Sequence, residues 1–460
     1  MTTITESTIT GDIRTRAAGA RVASRELAVS AAEKRDLALD AIAMLLEERR
    51  EQILEANAQD LEIASSMVHR GELDEPLLKR LDLSGSKFES VIDMVRSVRA
   101  QEDPLGRTQS ATELDKGLNL FRVSVPIGVL GVIFESRPDA LVQISSLCLK
   151  SGNAVLLKGG REAANSNQIL AQVIAEASQS VAGIPEGWLT LMQTREHVRD
   201  MLNQEESIDL IIPRGGNQFV QYIMQNTRIP VMGHADGICH VFVDRAADLD
   251  KAVRIAVDSK TQYVGVCNAA ETLLVHADVA EAFFGKAVPE LSAEKVEIRG
   301  DERTVTLAGK WASVTPATDE DWGTEHLDYI LSVKVVDDLN EAIAHINHYG
   351  SGHTDAIVTE DGVAASEFLR GVDSASVFHN ASTRFADGYA YGLGAEVGIS
   401  TGRLHSRGPV GLEGLTIYKY ILEGTGQTIA EYQGEVRRPY THRRLDADWC
   451  PGNGSGNGSP

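Results

Sequence analysis

The fold can be read most directly from the segment around Cys267, which runs Asp258-Ser-Lys-Thr-Gln-Tyr-Val-Gly-Val-Cys-Asn-Ala-Ala-Glu-Thr-Leu-Leu-Val-His276. Residues 249–260, which lead into it, carry apolar side chains among charged ones with the spacing of an amphipathic helix. Residues 272–275 form an apolar run that is typical of a buried strand. The pattern therefore predicts that Cys267 lies on a short loop joining a helix to a strand.

A thiol on such a loop can act as a nucleophile. Gly265 permits a close approach of the backbone, and the backbone N–H of Cys267 can face a developing oxyanion. Cysteine is also one of the residue types most often buried, so the segment alone leaves a purely structural role open. No neighbour in sequence is an obvious base. Activation of the thiol would therefore depend on groups that the fold brings close.

Composition limits the classes of function. The chain has 460 residues, enough for two or three domains with their own cores. With 43% hydrophobic and 24% charged residues, it has the composition of a soluble globular protein. Its formal net charge of −22 argues against electrostatic attraction to nucleic acid or anionic lipid. An anionic substrate would therefore need a local cluster of arginine and lysine.

The cysteines and the chain's N-terminal segment bear on its location. The four cysteines have neither metal-ligand spacing nor the density of a secreted disulfide framework, so we expect reduced thiols and no metal site. The first residues contain no apolar signal-peptide core, and no apolar stretch of the sequence is long enough to span a membrane. We therefore expect a cytoplasmic protein.

Beyond Pro126 the sequence alternates between strand-like and helix-like segments. This order predicts an α/β fold with parallel sheets and helices on both faces, preceded by a helical region at 13–99. Two blocks are expected, with the site in a cleft beyond the carboxyl ends of their strands. The predicted strands are 127–134, 154–157, 188–192, 208–212 and 240–243 in the first block, and 272–275, 330–336, 356–359 and 376–378 in the second.

The segment Lys260 to His276 resembles the cysteine segment of the γ-glutamyl phosphate reductases, a branch of the aldehyde dehydrogenase superfamily. Further segments match in the same order: Val125-Pro-Ile-Gly-Val-Leu-Gly-Val-Ile-Phe-Glu-Ser-Arg-Pro-Asp139, Ile212-Pro-Arg-Gly-Gly-Asn217, Gly233-His-Ala-Asp-Gly-Ile-Cys-His-Val241, His379-Asn-Ala-Ser-Thr-Arg-Phe385 and Gly408-Pro-Val-Gly-Leu-Glu-Gly-Leu415. The resemblance covers roughly residues 12–438, and it favours Cys267 as the nucleophile.

The resemblance implies an aldehyde dehydrogenase-like fold of three parts. A Rossmann-type NADP-binding domain would comprise residues 12–111 and 127–245, and an α/β catalytic domain residues 246–400. A β oligomerisation arm would comprise residues 112–126 and 412–438. Residues 439–460, which are rich in glycine and polar side chains near their end, are predicted to be a flexible tail.

The resemblance also implies a cofactor site. A strict Gly-x-Gly-x-x-Gly motif is absent, but Lys158 matches the lysine that holds the adenosine ribose in aldehyde dehydrogenases. Arg161 stands where NAD-preferring members commonly have glutamate, and its cation would accept a 2′-phosphate, so NADPH is expected. Residues 214–216 (Arg214, Gly215 and Gly216) precede a predicted helix whose N–H groups could face a pyrophosphate. Glu325 matches the glutamate that binds the nicotinamide ribose.

At the reacting carbonyl, Ser136 stands where the superfamily has an oxyanion-hole asparagine. A hydroxyl can donate one hydrogen bond, and Asn268 is a second possible donor. Hydrolytic members use a glutamate to activate water, and the matching segment at 230–236 contains none. A thioester on Cys267 is therefore expected to exchange with phosphate.

The resemblance implies NADPH-dependent reduction of L-glutamyl 5-phosphate to glutamate 5-semialdehyde in proline biosynthesis. A homo-oligomer and a separate glutamate 5-kinase partner are also expected. Two alternatives remain at this point, an ordinary aldehyde-oxidising dehydrogenase and a non-catalytic scaffold that kept the fold. The residues expected to bind the charged substrate are Arg137, Ser382, Thr383, Arg384 and Arg407.

Overall fold

The structure, a computed structural model, describes residues 13–72, 75–135, 137–192, 196–233 and 236–450. The helices are α1 (Ile13–Ala28), α2 (Ala32–Glu48), α3 (Arg50–His69), α4 (Glu75–Leu81), α5 (Ser86–Ala100), α6 (Pro138–Lys150), α7 (Ala164–Gln179), α8 (Glu196–Met201), α9 (Asn217–Gln225), α10 (Leu249–Thr261), α11 (Ala277–Ala293), α12 (Glu302–Ala308), α13 (Leu339–Tyr349) and α14 (Gly362–Gly371). The strands are β1 (Thr108–Asp115), β2 (Leu118–Pro126), β3 (Val129–Phe134), β4 (Ala154–Lys158), β5 (Leu189–Met192), β6 (Leu210–Arg214), β7 (Cys239–Val243), β8 (Ala270–His276), β9 (Glu297–Gly300), β10 (Val314–Pro316), β11 (Ile330–Val336), β12 (Thr354–Val358), β13 (Ser376–His379), β14 (Ile399–Ser400), β15 (Gly408–Pro409), β16 (Thr416–Glu423) and β17 (Arg443–Leu445).

The first block is a parallel sheet with strand order β5-β4-β3-β6, covered by the N-terminal helices. Every residue of β3 and β4 is buried, as expected for a parallel sheet with helices on both faces. Helices α2 and α3 pack on α7, and α1 packs on β4. The predicted helical region at 13–99 is thus confirmed, and its small residues, such as Ala17 and Ala20, allow close packing.

The second block is a larger parallel sheet with strand order β10-β9-β11-β8-β7-β12-β13. The predicted strands at 272–275, 330–336, 356–359 and 376–378 all lie in it, with boundaries shifted by a few residues at most. The short strands β9 and β10 were not predicted. Strand β8, which follows Cys267, is buried throughout and lies between β11 and β7.

Two boundaries of the predicted domains are wrong. Strand β7 pairs with β8 and β12, so it belongs to the second sheet and not to a cofactor domain that ends at residue 245. Residues Ala395 and Val397, assigned to the catalytic domain, pack in the hydrophobic core of the first block. The chain therefore returns to the first block before residue 400, which brings the two blocks together from both ends.

The arm is an antiparallel sheet with strand order β16-β2-β1-β17. Its hairpin begins at Thr108, earlier than the predicted start at residue 112. The prediction of a flexible tail from residue 439 is wrong for 443–445, which pair with β1 as β17. Trp449 continues the attachment, since its backbone N–H donates to Thr108 Oγ1 at 2.7 Å. Residues 451–460 lie outside the described ranges.

Within the described ranges, none of the helices combines the length and apolar character needed to cross a bilayer.

Candidate active site

The thiol lies where the edges of the two sheets face each other. Cys267 is on the loop between α10 and β8, as predicted, and this loop is at the amino end of β8. Gly237 and His353 precede β7 and β12 and lie at the same edge. From the first block, Arg214 ends β6 at the carboxyl edge of its sheet. The prediction of a cleft beyond carboxyl ends therefore holds for the first block and is wrong for the second.

His353 contacts the thiol directly. Its Nε2 lies 3.2 Å from Cys267 Sγ, and its Nδ1 lies 2.8 Å from Thr354 Oγ1. A ring that donates its Nδ1–H to the threonine presents the Nε2 lone pair to the thiol. The imidazole is buried and can therefore receive the proton of Cys267 without a competing water shell.

Sequence reasoning missed His353. The available signal was its position in Ser351-Gly-His-Thr354, immediately before a predicted strand, where a polar turn residue can face a site. No spacing in the sequence connects it with Cys267, because parallel strands β8 and β12 become neighbours of β7 only when the sheet forms.

The thiol is protonated in this environment. Burial, which is the largest cause, and the nearby carboxylates Glu325 and Glu396 together raise the pKa of Cys267 to about 12. The positive charge of Arg214 and the backbone N–H of Cys267 itself lower this pKa.

The backbone of the thiol loop is tightly packed against the segment that leads into β7. A Cβ added to Gly237 would lie 2.2 Å from the carbonyl oxygen of Cys267 and 2.4 Å from its Cα. The Cys239 thiol donates to the same carbonyl oxygen at 3.2 Å. Only glycine fits at position 237, and this contact fixes the height of Cys267 above the sheet edge.

A buried ion pair connects the thiol loop with the turn that carries Glu325. Lys260 Nζ lies 2.7 Å from Glu271 Oε2, and both side chains are fully buried. The other oxygen of Glu271 accepts the backbone N–H of Leu327 at 3.2 Å. Leu327 has a φ of 52°, a left-handed conformation that is unusual for leucine and that this hydrogen bond helps to hold.

Glu325 is half-buried beside the thiol. The pKa of Glu325 is raised to about 7: burial is the largest cause, the charges of Glu271 and Asp236 act in the same direction, and a hydrogen bond with the backbone of Gly237 acts against them. A carboxyl group with this pKa changes its charge near neutral pH. The expected role of Glu325 in binding the nicotinamide ribose stays a prediction.

The structure does not bring every expected oxyanion donor to the thiol. The side-chain amide of Asn268 is buried and donates to the carbonyl of Ala386 at 3.0 Å, so its N–H is engaged away from the substrate. Ser136, the other expected donor, lies outside the described residues.

The expected cofactor residues lie at the carboxyl edge of the first sheet. Lys158 ends β4 and is buried, with its ammonium group hydrogen-bonded to the Gly159 carbonyl. Arg161 follows and is exposed, 3.6 Å from Glu72. The N-cap residue of α9 is Gly216, which has no side chain that could cap the helix, and both Gly215 and Gly216 are exposed. Helix N-termini can bind anions, and at this one the side chain of Asn217 donates to Asp236, so the expected binding of a pyrophosphate stays a prediction.

Arg214 is placed differently from Gly215 and Gly216. Its guanidinium group points to Glu396, with 4.0 Å between Nη2 and Oε1, and it is close enough to Cys267 for its charge to lower the pKa of the thiol. Burial lowers the pKa of Arg214 and raises that of Glu396.

The residues expected to bind substrate divide into two groups. Arg384 and Arg137 lie close to the site: Arg384 is within electrostatic range of Cys267, and Arg137 is within range of Arg214. Ser382 and Thr383 are buried, and Ser382 caps its own 3₁₀ turn. Arg407 binds Asp373 at 2.9 Å and packs against Gly352, behind His353. The last three therefore support the site from behind.

The family model described as the aldehyde dehydrogenase family matches residues 2–308. The chain belongs to this family, and the predicted aldehyde dehydrogenase-like α/β fold is confirmed.

Eight curated relatives that are 50–55% identical to this chain carry the same name. Gamma-glutamyl phosphate reductase from Natronomonas pharaonis is 55% identical over 432 residues, covering 94% of this chain and 98% of the relative. The enzyme of that name from Haloquadratum walsbyi is 53% identical over 441 residues, covering 95% and 96%. A crystal structure of gamma-glutamyl phosphate reductase from Thermotoga maritima matches with a TM-score of 0.86 at 41% identity, covering 91% of this chain and 100% of that one. The resemblance to the γ-glutamyl phosphate reductase branch is confirmed.

Proposed function

We propose that the protein reduces L-glutamyl 5-phosphate to L-glutamate 5-semialdehyde and phosphate through a thioester on Cys267, as a step of proline biosynthesis. The contact that carries this proposal is the 3.2 Å approach of His353 Nε2 to Cys267 Sγ in the cleft between the two sheets. Similarity to relatives named gamma-glutamyl phosphate reductase supports the choice of substrate.

The first half of the reaction forms the thioester. His353 takes the thiol proton as Cys267 Sγ attacks the acyl carbon, since a thiol with a pKa of about 12 is a poor nucleophile without a base. The bond from carbon to the phosphate oxygen breaks, and phosphate leaves with that electron pair. The proton held by His353 passes to the phosphate, so the histidine returns to its neutral form.

The second half requires a nicotinamide cofactor, which is the cofactor class of the family. When bound, it would supply the hydride for the thioester carbon. The carbon–sulfur bond then breaks with its electron pair on Cys267 Sγ, which releases the aldehyde, and the sulfur takes up a proton. The proposed cofactor is NADPH. Lys158, Gly215 and Gly216 would hold its ribose and phosphates, and Glu325 the nicotinamide ribose. The exposed guanidinium group of Arg161 supports NADPH over NADH, because it can receive a 2′-phosphate.

An aldehyde-oxidising dehydrogenase is the main alternative, and phosphate dependence separates the two. With glutamate 5-semialdehyde and NADP⁺, the proposed enzyme should reduce NADP⁺ only when phosphate or arsenate is present. Cys267→Ser should lower this rate by at least about a thousandfold and leave NADPH binding intact, because only the nucleophile is lost. Cys450→Ser, which changes an exposed thiol, is the matched control. NADP⁺ reduction that proceeds equally without phosphate would contradict the proposal, and so would an active Cys267→Ser enzyme.

The proposed assembly is a homo-oligomer formed through the arm. Strand β16 is at the edge of its sheet and exposes the apolar side chains of Ile417, Tyr420 and Leu422. A groove of about 1160 Å³ beside it is lined by Arg107 and Arg122, among others.

The proposed compartment is the cytoplasm, which agrees with the four free thiols. The proposed partner is a separate glutamate 5-kinase, since the substrate is an unstable acyl phosphate.

A further inference from the structure

Lys260 and Glu271 form a fully buried ion pair at the base of the loop 262–269, which carries Cys267. Lys260 lies in the last turn of α10 and Glu271 is the second residue of β8, so the pair joins the two ends of this loop. Lys260 Nζ lies 2.7 Å from Glu271 Oε2, and neither side chain is exposed. Because removing two charges from water costs about as much free energy as their attraction returns, such a pair adds little to stability. A role in holding neighbouring groups in place explains it better.

The second carboxylate oxygen of Glu271 reaches a different segment. Oε1 accepts the backbone N–H of Leu327 at 3.2 Å, and the backbone of His326 also hydrogen-bonds to this carboxylate. Both residues belong to the segment 324–329, which is neither helix nor strand and which carries Glu325. Lys260 thus fixes one oxygen of the carboxylate and leaves the other directed at the backbone of this segment.

The backbone conformation at Leu327 depends on this hydrogen bond. The residue has a φ of 52°, and its side chain is 46% exposed, so side-chain packing gives the left-handed conformation little support. His326 Nε2 lies 3.1 Å from Ser332 Oγ, a contact that holds the imidazole ring but not the backbone N–H groups. A strained backbone persists only where its surroundings hold it. Loss of the acceptor at position 271 should therefore allow residues 325–327 to move.

Glu325, two residues before Leu327, is thereby held beside the thiol. Its carboxylate hydrogen-bonds with the backbone of Gly237. Gly237 in turn is packed so closely on the thiol loop that an added Cβ would lie 2.4 Å from the Cα of Cys267. The segment that carries Glu325 is therefore attached to the thiol loop twice, through Glu271 and through Gly237. A cofactor held by Glu325 would be placed at a defined distance from the sulfur, as transfer of a hydride requires.

We propose that Glu271, oriented by Lys260, is a positioning residue for the cofactor: it fixes the backbone of residues 325–327 so that Glu325 meets the nicotinamide ribose. This role rests on the proposed function, in which Glu325 binds that ribose. Glu271 is fully buried, so it acts through Glu325 and not on the cofactor itself. The charge of Glu271 serves to face Lys260, whereas its second oxygen serves to accept the N–H of Leu327.

Two double variants separate the hydrogen-bond acceptor from the buried charges. Lys260→Met with Glu271→Gln and Lys260→Met with Glu271→Leu both remove the ion pair, but only the glutamine variant keeps an oxygen for the N–H of Leu327. The leucine variant should raise the Kd for NADPH at least about tenfold, and the glutamine variant less than about threefold. The Kd for adenosine 2′,5′-bisphosphate, which lacks the nicotinamide ribose, should change less than about twofold in both, because the adenosine side of the site is separate. Calorimetric titration measures both ligands, with thermal unfolding as a check on folding.

A further comparison asks whether Glu271 acts through Glu325. Glu325→Gln should raise the Kd for NADPH at least about threefold in the wild-type background. In the leucine variant the same change should alter this Kd less than about twofold, because both substitutions remove the same contact. If the leucine variant does not fold, Glu271→Asp decides. It keeps a carboxylate beside Lys260 but is one methylene too short to reach Leu327 as well, and it should raise the NADPH Kd at least about threefold.

Equal NADPH Kd values in the glutamine and leucine variants would overturn the proposal, and so would an equal loss of adenosine 2′,5′-bisphosphate binding. Glu325→Gln that has no effect in the wild type, or the same effect in both backgrounds, would also overturn it. A wild type that binds neither NADPH nor NADH would instead overturn the proposed function.

Discussion

Cys267 is held in a form that does not react until a base acts on it. With a pKa of about 12, only about one thiol in 10⁵ is ionised at pH 7. Two half-buried carboxyl groups, Glu325 and Glu396, help to keep the proton on the sulfur. Since the thiolate is the reactive form, attack by Cys267 requires a base that removes this proton.

His353 should therefore determine how the reaction depends on pH. His353→Asn should lower kcat/KM by about 10²–10⁴-fold at pH 7, the usual contribution of a general base. Below the pKa of the thiol, alkylation of Cys267 in this variant should become about tenfold faster for each pH unit, because only solvent removes the proton. Measuring iodoacetamide alkylation from pH 6 to 9 in both enzymes tests this. Equal rates at pH 7 would exclude His353 as the base. His348→Asn is a control, because His348 is close to His353 in sequence but is not among the residues that contact the thiol.

Glu325 should reduce stability above neutral pH. Its folded-state pKa of about 7 exceeds the ordinary value of 4.5, so the folded protein binds a proton more tightly than the unfolded chain between these limits. The contribution of Glu325 to stability is therefore most favourable at low pH and is lost as pH rises to 7. Glu325→Gln should stabilise the protein by about 1–2 kcal/mol at pH 8 and by little at pH 4.5, allowing for partial solvent screening.

Thermal unfolding of Glu325→Gln and wild type at the two pH values measures this difference. Glu320→Gln, which changes an exposed carboxylate of the same segment, should show no such pH dependence. A stabilisation that is equal at both pH values would contradict the assignment of the raised pKa. If Glu325 also holds the nicotinamide ribose, the stabilised variant should bind NADPH less tightly, as residues selected for function often reduce stability.

At the scale of elements, the site depends on three loops at the amino ends of β7, β8 and β12. They supply Gly237, Cys267 and His353, and the register of the parallel sheet sets their relative heights. Gly237 is the closest contact among them, because any Cβ there would overlap the backbone of Cys267. The position of the thiol thus depends on a residue that carries no chemistry of its own.

Gly237→Ala should displace the thiol loop. An added methyl group 2.2 Å from the Cys267 carbonyl oxygen forces a movement of the order of 1 Å, which typically lowers kcat by about a hundredfold. Gly362→Ala adds the same methyl group at the start of α14, where nothing lies within 4 Å, and should leave kcat unchanged. Steady-state kinetics with thermal unfolding as a check on folding distinguishes the two. Wild-type kcat in Gly237→Ala would show that the loops move independently.

For the whole molecule, the sequence predicted the order of helices and strands along the chain well. It predicted less well which strands lie next to each other in a sheet. Apolar runs such as 330–336 identify strands because a parallel sheet buries both faces. The same pattern does not say which sheet a strand joins, and β7 was therefore assigned to the wrong block. Short strands such as β9 and β17 have too few residues to show a period, so hydrogen bonding to β11 and to β1 decides them.

The site was predictable only where a motif marks it. Cys267 was found because its segment resembles that of a known family, and Arg384 was found in the same way. His353 and Glu396 were missed. Strand pairing brings His353 to the site, and the return of the chain to the first block brings Glu396, so no neighbour in sequence marks either residue. Ser382 and Thr383 belong to a matching segment yet are buried, so a match in sequence does not separate residues that touch substrate from those that support them.

The exposed edge of the arm leads to a prediction about assembly. The outer strand β16 has free backbone groups on one side and exposes Tyr420 by 61% and Leu422 by 54%, a combination that favours pairing with another chain. Replacing both residues by lysine should convert the oligomer into a monomer, because lysine on an edge strand opposes such pairing. Val363→Lys, which changes an apolar residue exposed by 67% on α14, should leave the oligomer intact. Light scattering coupled to size-exclusion chromatography gives the masses. A monomeric wild type, or a double variant of unchanged mass, would show that the arm is not the interface.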